Sequence, residues 1–337
     1  MLGVSGTTLS AEERAFFSAA DPWGFILFRR NLADADEIRR LTGDLRETVG
    51  RDAPILIDQE GGRVARLAPP LARGWAPVLD ICAGPRVQAP EGEILSALRA
   101  RHRIIADDLR ALGIDADCLP VLDVPQPGAH PVIGARALGQ TGREVALRGR
   151  EVMTALLEGG VLPVVKHMPG HGRAGADSHD ALPVVDADRD ALAEDFLPFT
   201  ALRDAPMGMT AHVVYTALDP ERCATLSPAV IALIRGEIGF DGLLMTDDLS
   251  MAALTGPIRE RGEAALAAGC DVLLHCNGEM AEMAAVAEAA PILSGPAARR
   301  AEAALAARRA PRPFDRGAAD ARYTALTGDT GEGAHAR

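Results

Sequence analysis

The chain has 337 residues, enough for one large α/β domain or two small ones, and its 48% apolar and 24% charged residues are the composition of an ordinary globular protein. A formal net charge of −12 argues against a nucleic-acid backbone or an anionic membrane surface as partner. No run approaches the roughly 20 apolar residues of a membrane span, and the opening MLGVSGTTLSAEER lacks a basic segment followed by a long apolar one, so neither a membrane segment nor a signal peptide is expected and a cytoplasmic location is.

In chain order, residues 2–4 form a short first candidate strand, followed by Ser10-Ala11-Glu12-Glu13, which spells a capping box. A strand at 24–28 precedes a second cap, Asp34-Ala35-Asp36-Glu37. The helix it opens carries Ile38, Leu41 and Leu45 on one face and closes at Gly50. Strands follow at 54–57 and 118–122. Thr141 to Glu144 opens a helix that ends at Gly159-Gly160, with a strand at 161–165 directly after it. A strand at 208–213 leads to Ser227-Pro228, an N-cap with an N1 proline, and that helix stops near Gly236 or Gly239. The last strands are 243–246 and 271–275. After about residue 310 the pattern fails. Residues 311–337 are expected to be a flexible, solvated extension in which Phe314 or Tyr323 docks in part.

Continuous apolar strands alternating with helices imply a parallel sheet covered by helices, and eight such units in roughly 250 to 300 residues imply a barrel. The expected fold is therefore α/β, a single (β/α)8 TIM-type barrel over residues 1–310 with a short or irregular first strand. A doubly wound open sheet is the alternative. The five cysteines, at 82, 118, 223, 270 and 276, are odd in number and have no paired-motif spacing, so reduced and mostly buried thiols are expected.

Four candidate strands end in charged or imidazole groups: Asp58 after Ile57, Lys166-His167 after Val165, His212 after Ala211, and Asp247-Asp248 after Thr246. One polar strand end is ordinarily a helix cap. Four in succession point to a site at the carboxyl end of a barrel. His167 and His171 have the spacing of two metal ligands on a helix, but Pro169, Gly170 and Gly172 forbid a regular helix, so no metal site is assigned. The segment reads instead as a long glycine-rich loop suited to a mobile lid, 168–178, with Asp177 two residues from the imidazole of His179. Asp248 has a ready use at a helix start, whereas Asp247 should face the mouth of the barrel.

The runs DQEGGRVARL (58–67), VIGARALG (132–139), KHMPGHGRAGADSHDALP (166–183), MTAHVVY (209–215) and LLMTDDLSM (243–251) together resemble glycoside hydrolase family 3, and more closely its bacterial β-N-acetylglucosaminidases of cell-wall recycling. The resemblance spans about residues 24 to 278. It implies Asp247 as nucleophile and His179 as acid/base, supported by Asp177. It implies sugar-binding roles for Asp58, Arg66, Arg136, Lys166 and His167, with Asp58 on sugar hydroxyls and Arg136, Lys166 and His167 around the sugar and its N-acetyl group. Met168 stands where an aromatic residue is usual and Ala135 where an acidic one is common, which implies a softened pocket wall.

The chemistry is consistent with those residue types. Retention of configuration needs a nucleophile below the sugar and an acid beside the leaving oxygen, usually two carboxylates roughly 5 Å apart. An imidazole can replace one of them because both of its protonation states are accessible near neutral pH. No cofactor enters this scheme. Aromatic residues are only 4% of the chain, which favours a small pocket and exo action on one terminal sugar. The implied substrate is a muropeptide carrying a 1,6-anhydro sugar, and a monomer is the expected state. Alternatives are a β-glucosidase, a phosphorylase of the same family, a metal-dependent hydrolase using His167, His171 and His179, and a catalytically silent sugar-binding protein.

Overall fold

Eight short strands pair into one parallel sheet in the order in which they occur along the chain. In the computed structural model, which describes residues 1–83 and 89–331, they are β1 (Leu2–Gly3), β2 (Phe25–Leu27), β3 (Ile55–Ile57), β4 (Ala116–Asp117), β5 (Leu162–Met168), β6 (Met207–Thr210), β7 (Leu243–Asp248) and β8 (Val272–Leu274). A parallel bridge between Leu2 and His275 joins the two edges, with the amide of Gly3 donating to the His275 carbonyl at 2.7 Å. The sheet is thus a (β/α)8 TIM-type barrel and not the open doubly wound alternative. The first strand has two residues, as short as expected.

Side chains alternate along each strand between the barrel interior and the helical layer. Ile26, Leu56, Leu162, Val164, Leu243, Met245, Val272 and Leu274 fill one buried cluster. Their neighbours Phe25, Leu27, Ile55, Ile57, Val165, Leu244 and Leu273 belong to a second, which also holds the apolar faces of the helices. The fourth strand departs from expectation. It pairs at Ala116–Asp117, before the apolar run 118–122, because Pro120 lacks the amide that a longer ladder requires. Beyond it only one isolated bridge remains, between Val121 and Lys166.

The helices begin and end where their caps require. Ser10 and Glu13 form a reciprocal capping box on α1 (Ala11–Ala20), and Thr141 and Glu144 form another on the helix Gly142–Glu158. Asp34 accepts the amides of Asp36 and Glu37 at the start of α2 (Ala35–Val49), which closes at Gly50 with φ +64° and buries Ile38, Leu41 and Leu45. No return bond from Glu37 to the Asp34 amide is present, so this end is a simple N-cap. Ser227 caps Pro228–Gly236 as anticipated. The 21-residue helix Glu91–Ala111 escaped the sequence reading because Arg101, His102 and Arg103 lie on its buried side and interrupt the apolar stripe.

The C-terminal segment docks through Tyr323, one of the two residues expected to do so, but more of it is ordered than a solvated extension would be. Residues Arg316–Thr327 form a helix packed along Glu91–Ala111, with Tyr323 fully buried and edge-on to Trp75 at 5.1 Å. All five cysteines are buried thiols. Among the described residues no helix is long and apolar enough to cross a membrane.

Candidate active site

The inward parity of the strands, followed to their carboxyl ends or just past them, builds the site. Leu56 faces the interior, and so does Asp58 two residues on. Val164 leads to Lys166, Met245 to Asp247 and Leu274 to Cys276 in the same way. These four side chains meet at the carboxyl-terminal mouth of the barrel in a cavity of about 310 Å³. Arg66, Arg136, His167, Asp177 and His179 line it too, so all eight sequence-predicted site residues share one pocket. Trp23, Trp75 and Tyr215 do not reach it; Trp75 and Tyr215 are buried, and the Tyr215 hydroxyl donates to the Gly170 carbonyl at 2.7 Å.

One side of the pocket is a network of alternating charges. Lys166 Nζ donates to Asp58 Oδ1 and lies within 2.8 Å of Glu60 Oε1 as well. Arg66 donates to Asp58 Oδ2 at 2.8 Å, and Arg136 grips both oxygens of Glu60, each at 2.8 Å. Burial alone would raise the two carboxyls. The adjacent cations reverse that, holding Glu60 at about 2 and Asp58 well below the usual carboxylate range. The same carboxylates raise the pKa of Lys166 against its burial. Two of the three ammonium protons of Lys166 are engaged, which leaves one for a ligand, and each Asp58 oxygen keeps acceptor capacity.

His167 is fixed by Asp123, whose Oδ2 accepts from its Nδ1 at 2.7 Å and whose other oxygen accepts the backbone amides of His167 and His171. That bond leaves Nε2 of His167 for the cavity. Asp123 is fully buried; burial raises its pKa, but His167 and His171 outweigh it and hold the carboxyl at about 2. His171 also lines the cavity, its pKa pushed down to about 4 chiefly by burial, so the ring is neutral.

Asp247 is the penultimate residue of β7 and lines the same cavity. Burial opposes its ionisation, yet the nearby His212, His167 and Lys166 and the Asp248 amide, which donates to it at 2.8 Å, keep its pKa below the ordinary value. Asp248 has the other parity and leaves the pocket. It is not a helix-start carboxylate as anticipated, since the next helix begins only at Ile258. Its oxygens instead fix a turn, accepting from Ser250 N at 3.0 Å and Ser250 Oγ at 2.6 Å. His212 stays out of the cavity: fully buried, it lies 2.8 Å from the Thr225 hydroxyl and donates from Nε2 to the Asp248 carbonyl at 3.0 Å, supporting the strand that carries Asp247.

His179 has a side chain 69% exposed. Both its backbone amide, at 3.0 Å, and its Nδ1, at 2.7 Å, donate to Asp177 Oδ1, so Nε2 is the nitrogen left to take up or give a proton. The loop is anchored over more of its length than its glycines implied. Met168 belongs to β5 and packs outward against the helical layer, not on the pocket wall, and Ala135 is an exposed residue off the cavity. Residues 169–174 are held by Asp123, by Tyr215, and by backbone bonds to Gln126 and His130.

Glu60 and Asp123 were missed as functional residues. Glu60 stands inside the DQEGG run and Asp123 directly after the apolar run 118–122, so the strand-end criterion that selected Asp58 had the signal for both. Replacing Glu60 by Ala is expected to cost about 3–5 kcal/mol, because the largely buried Arg136 loses its carboxylate partner and Lys166 loses one of its two. The carboxyl is lowered from 4.5 to about 2, so its contribution is fully present above pH 4.5 and is lost as pH falls towards 2. Urea denaturation should therefore show the wild-type advantage over Glu60→Ala shrinking across that window. A constant gap would assign the loss to packing.

A pocket of this size suits a single sugar ring, and the chain is a glycoside hydrolase. It belongs to glycosyl hydrolase family 3: the family's N-terminal domain model matches residues 2–306. The chain is 39% identical over 286 residues to a β-hexosaminidase of Methylococcus capsulatus, covering 82% of each. Its fold superposes with a TM-score of 0.82 on NagZ from Neisseria gonorrhoeae in complex with N-trifluoroacetyl-D-glucosamine, at 29% identity and 97% coverage of both chains. A β-N-acetylhexosaminidase of Beutenbergia cavernae gives a TM-score of 0.76 at 28% identity, with 91% and 95% of the two chains covered.

Proposed function

We propose that the chain is an exo-acting, retaining β-N-acetylglucosaminidase. The observation that carries this reading is the meeting of an ionised Asp247 and an Asp177-held imidazole, His179, at one sugar-sized cavity. Asp247 attacks the anomeric carbon while His179 Nε2–H protonates the departing oxygen, giving a covalent glycosyl-enzyme. Neutral His179 then takes a proton from the incoming water as that water displaces Asp247. Asp177 stabilises the imidazolium and selects the tautomer throughout.

Asp58 receives sugar hydroxyls, and Arg66 orients Asp58. Lys166, His167 and Arg136 hold the sugar and its N-acetyl group. Support for the acyl group comes from the gonococcal relative, whose bound ligand is an N-acylated glucosamine. The absence of Phe, Tyr and Trp from the described lining supports a short pocket and removal of one terminal sugar. Within the 168–178 loop, the less buried residues 175–177, which lead to the exposed His179, are the part that adjusts over the substrate. The natural substrate of this reading is a muropeptide with a 1,6-anhydro sugar, processed in the cytoplasm by a monomer.

A panel of aryl β-glycosides differing only at C2 tests it. Preference for the 2-acetamido sugar over glucose is expected to be about a hundredfold or more in kcat/KM, since a polar pocket left without its amide partner keeps unpaired groups. Equal turnover of the glucoside would remove the assignment. Acceleration by phosphate, with sugar phosphate as product, would make the enzyme a phosphorylase.

A further inference from the structure

We propose that Ser178 is a latch that sets the imidazole of His179 relative to the strand bearing Asp247, with Ser178 and His171 acting as positioning residues for proton transfer. This rests on the roles given above to His179 and Asp247.

Asp177 and His179 form a closed unit. The Asp177 carboxylate accepts the His179 amide and ring, and the Asp177 carbonyl accepts the amides of Asp180 and Ala181, each at 3.0 Å. Such a unit keeps its own shape, but its direction depends on what fastens it to the rest of the molecule. Ser178, in the middle, is only 4% exposed although the His179 side chain beside it is 69% exposed.

Ser178 is fastened from two sides. Its Oγ lies 3.3 Å from Nε2 of His171, and its carbonyl accepts the amide of Ala253 at 3.2 Å. Neither anchor is loose. The His171 amide donates to Asp123 at 2.6 Å, and its ring lies edge-on to His167 at 5.7 Å. Nδ1 of His171 is buried without a partner, so the Ser178 hydroxyl is the only hydrogen-bond partner of this ring among the described residues. Ala253 sits in the turn Met251–Leu254, which follows directly on the one that Asp248 fixes at Ser250 and Met251. The acid/base is thereby referenced to the segment that carries the nucleophile.

A hydroxyl serving only to fold the loop would affect all substrates alike. A latch for the general acid affects those whose leaving group needs a proton. In Ser178→Ala, kcat/KM for an N-acetylglucosaminide with a poor leaving group, such as the phenyl glycoside, should fall about tenfold. The activated 2,4-dinitrophenyl glycoside should change less than about twofold. Ser178→Thr, which keeps a hydroxyl, should restore the ratio. Covalent labelling of Asp247 by a 2-fluoro glycosyl fluoride, which needs little acid assistance, should keep its wild-type rate in Ser178→Ala and so report an intact fold and nucleophile. Equal loss on both substrates, or no loss while labelling stays normal, overturns the latch alone. A wild-type enzyme that does not label at Asp247 overturns the underlying assignment and the latch with it.

Discussion

Asp247→Ala should reduce turnover by on the order of 10⁴-fold or more, the scale seen when a covalent nucleophile is removed, while Asp248→Asn retains a measurable rate. The two neighbouring carboxylates have different surroundings. Asp247 shares the inward parity of Leu243 and Met245 and lines the cavity, with His212, His167 and Lys166 favouring its ionised form. Asp248 is occupied by Ser250 and by the Cys276 amide at 3.2 Å and does not line the cavity. Its loss loosens the turn and acts on the rate only indirectly. A 2-acetamido sugar offers a rival route, since its own carbonyl can attack the anomeric carbon without an enzyme nucleophile. A 2-fluoro sugar lacks that group and slows hydrolysis of the intermediate, so mass spectrometry of the labelled protein should place the adduct on Asp247, and the released sugar should retain its configuration. An adduct on Asp248, or an inverted product, would overturn both residue and mechanism.

His179→Ala should lower kcat/KM by about 10²- to 10⁴-fold for a substrate with a poor leaving group and far less for an activated aryl glycoside. The imidazole has two tasks, and the mutation separates them. Bond cleavage needs its proton only when the leaving oxygen is basic. Breakdown of the glycosyl-enzyme needs a base to deprotonate water whatever the first leaving group was. With an activated substrate the intermediate should accumulate, with low kcat and low KM, and azide should raise kcat because it attacks without losing a proton. Equal slowing of both substrates with no azide effect would mean that His179 is not the acid/base. Asp177→Asn should reproduce part of the defect, because Asp177 Oδ1 accepts both the amide and the ring Nδ1 of His179.

The barrel was legible because its signals are local. Apolar runs of three to six residues, the Ser10–Glu13 and Thr141–Glu144 caps and the stops at Gly50 and Gly159 depend on nearest neighbours in the chain, and seven of the eight strands lie where the runs placed them. The fourth strand and the helix Glu91–Ala111 were misplaced or missed where local pattern and tertiary demand diverge. A proline cut one ladder short of its apolar run, and buried arginines broke the stripe of a helix whose charges find partners far away in sequence. Docking at Tyr323 was foreseen but the helix Arg316–Thr327 was not, because the ring that covers Tyr323 is Trp75, 248 positions earlier, and no local period announces it.

What the sequence determined by itself was the choice of side chains at the barrel mouth, because strand parity and strand ends place Asp58, Lys166 and Asp247 once the runs are recognised. What only the tertiary structure decided was how those groups are held. Glu60 joins Arg136 to Lys166, Asp123 fixes His167, and Ser178 ties the loop to the segment after Asp247. Each of these bonds spans distant parts of the chain or depends on the three-dimensional course of a loop. Electrostatic pairing at 2.8 Å is a property of folded geometry, and no spacing along the chain encodes it.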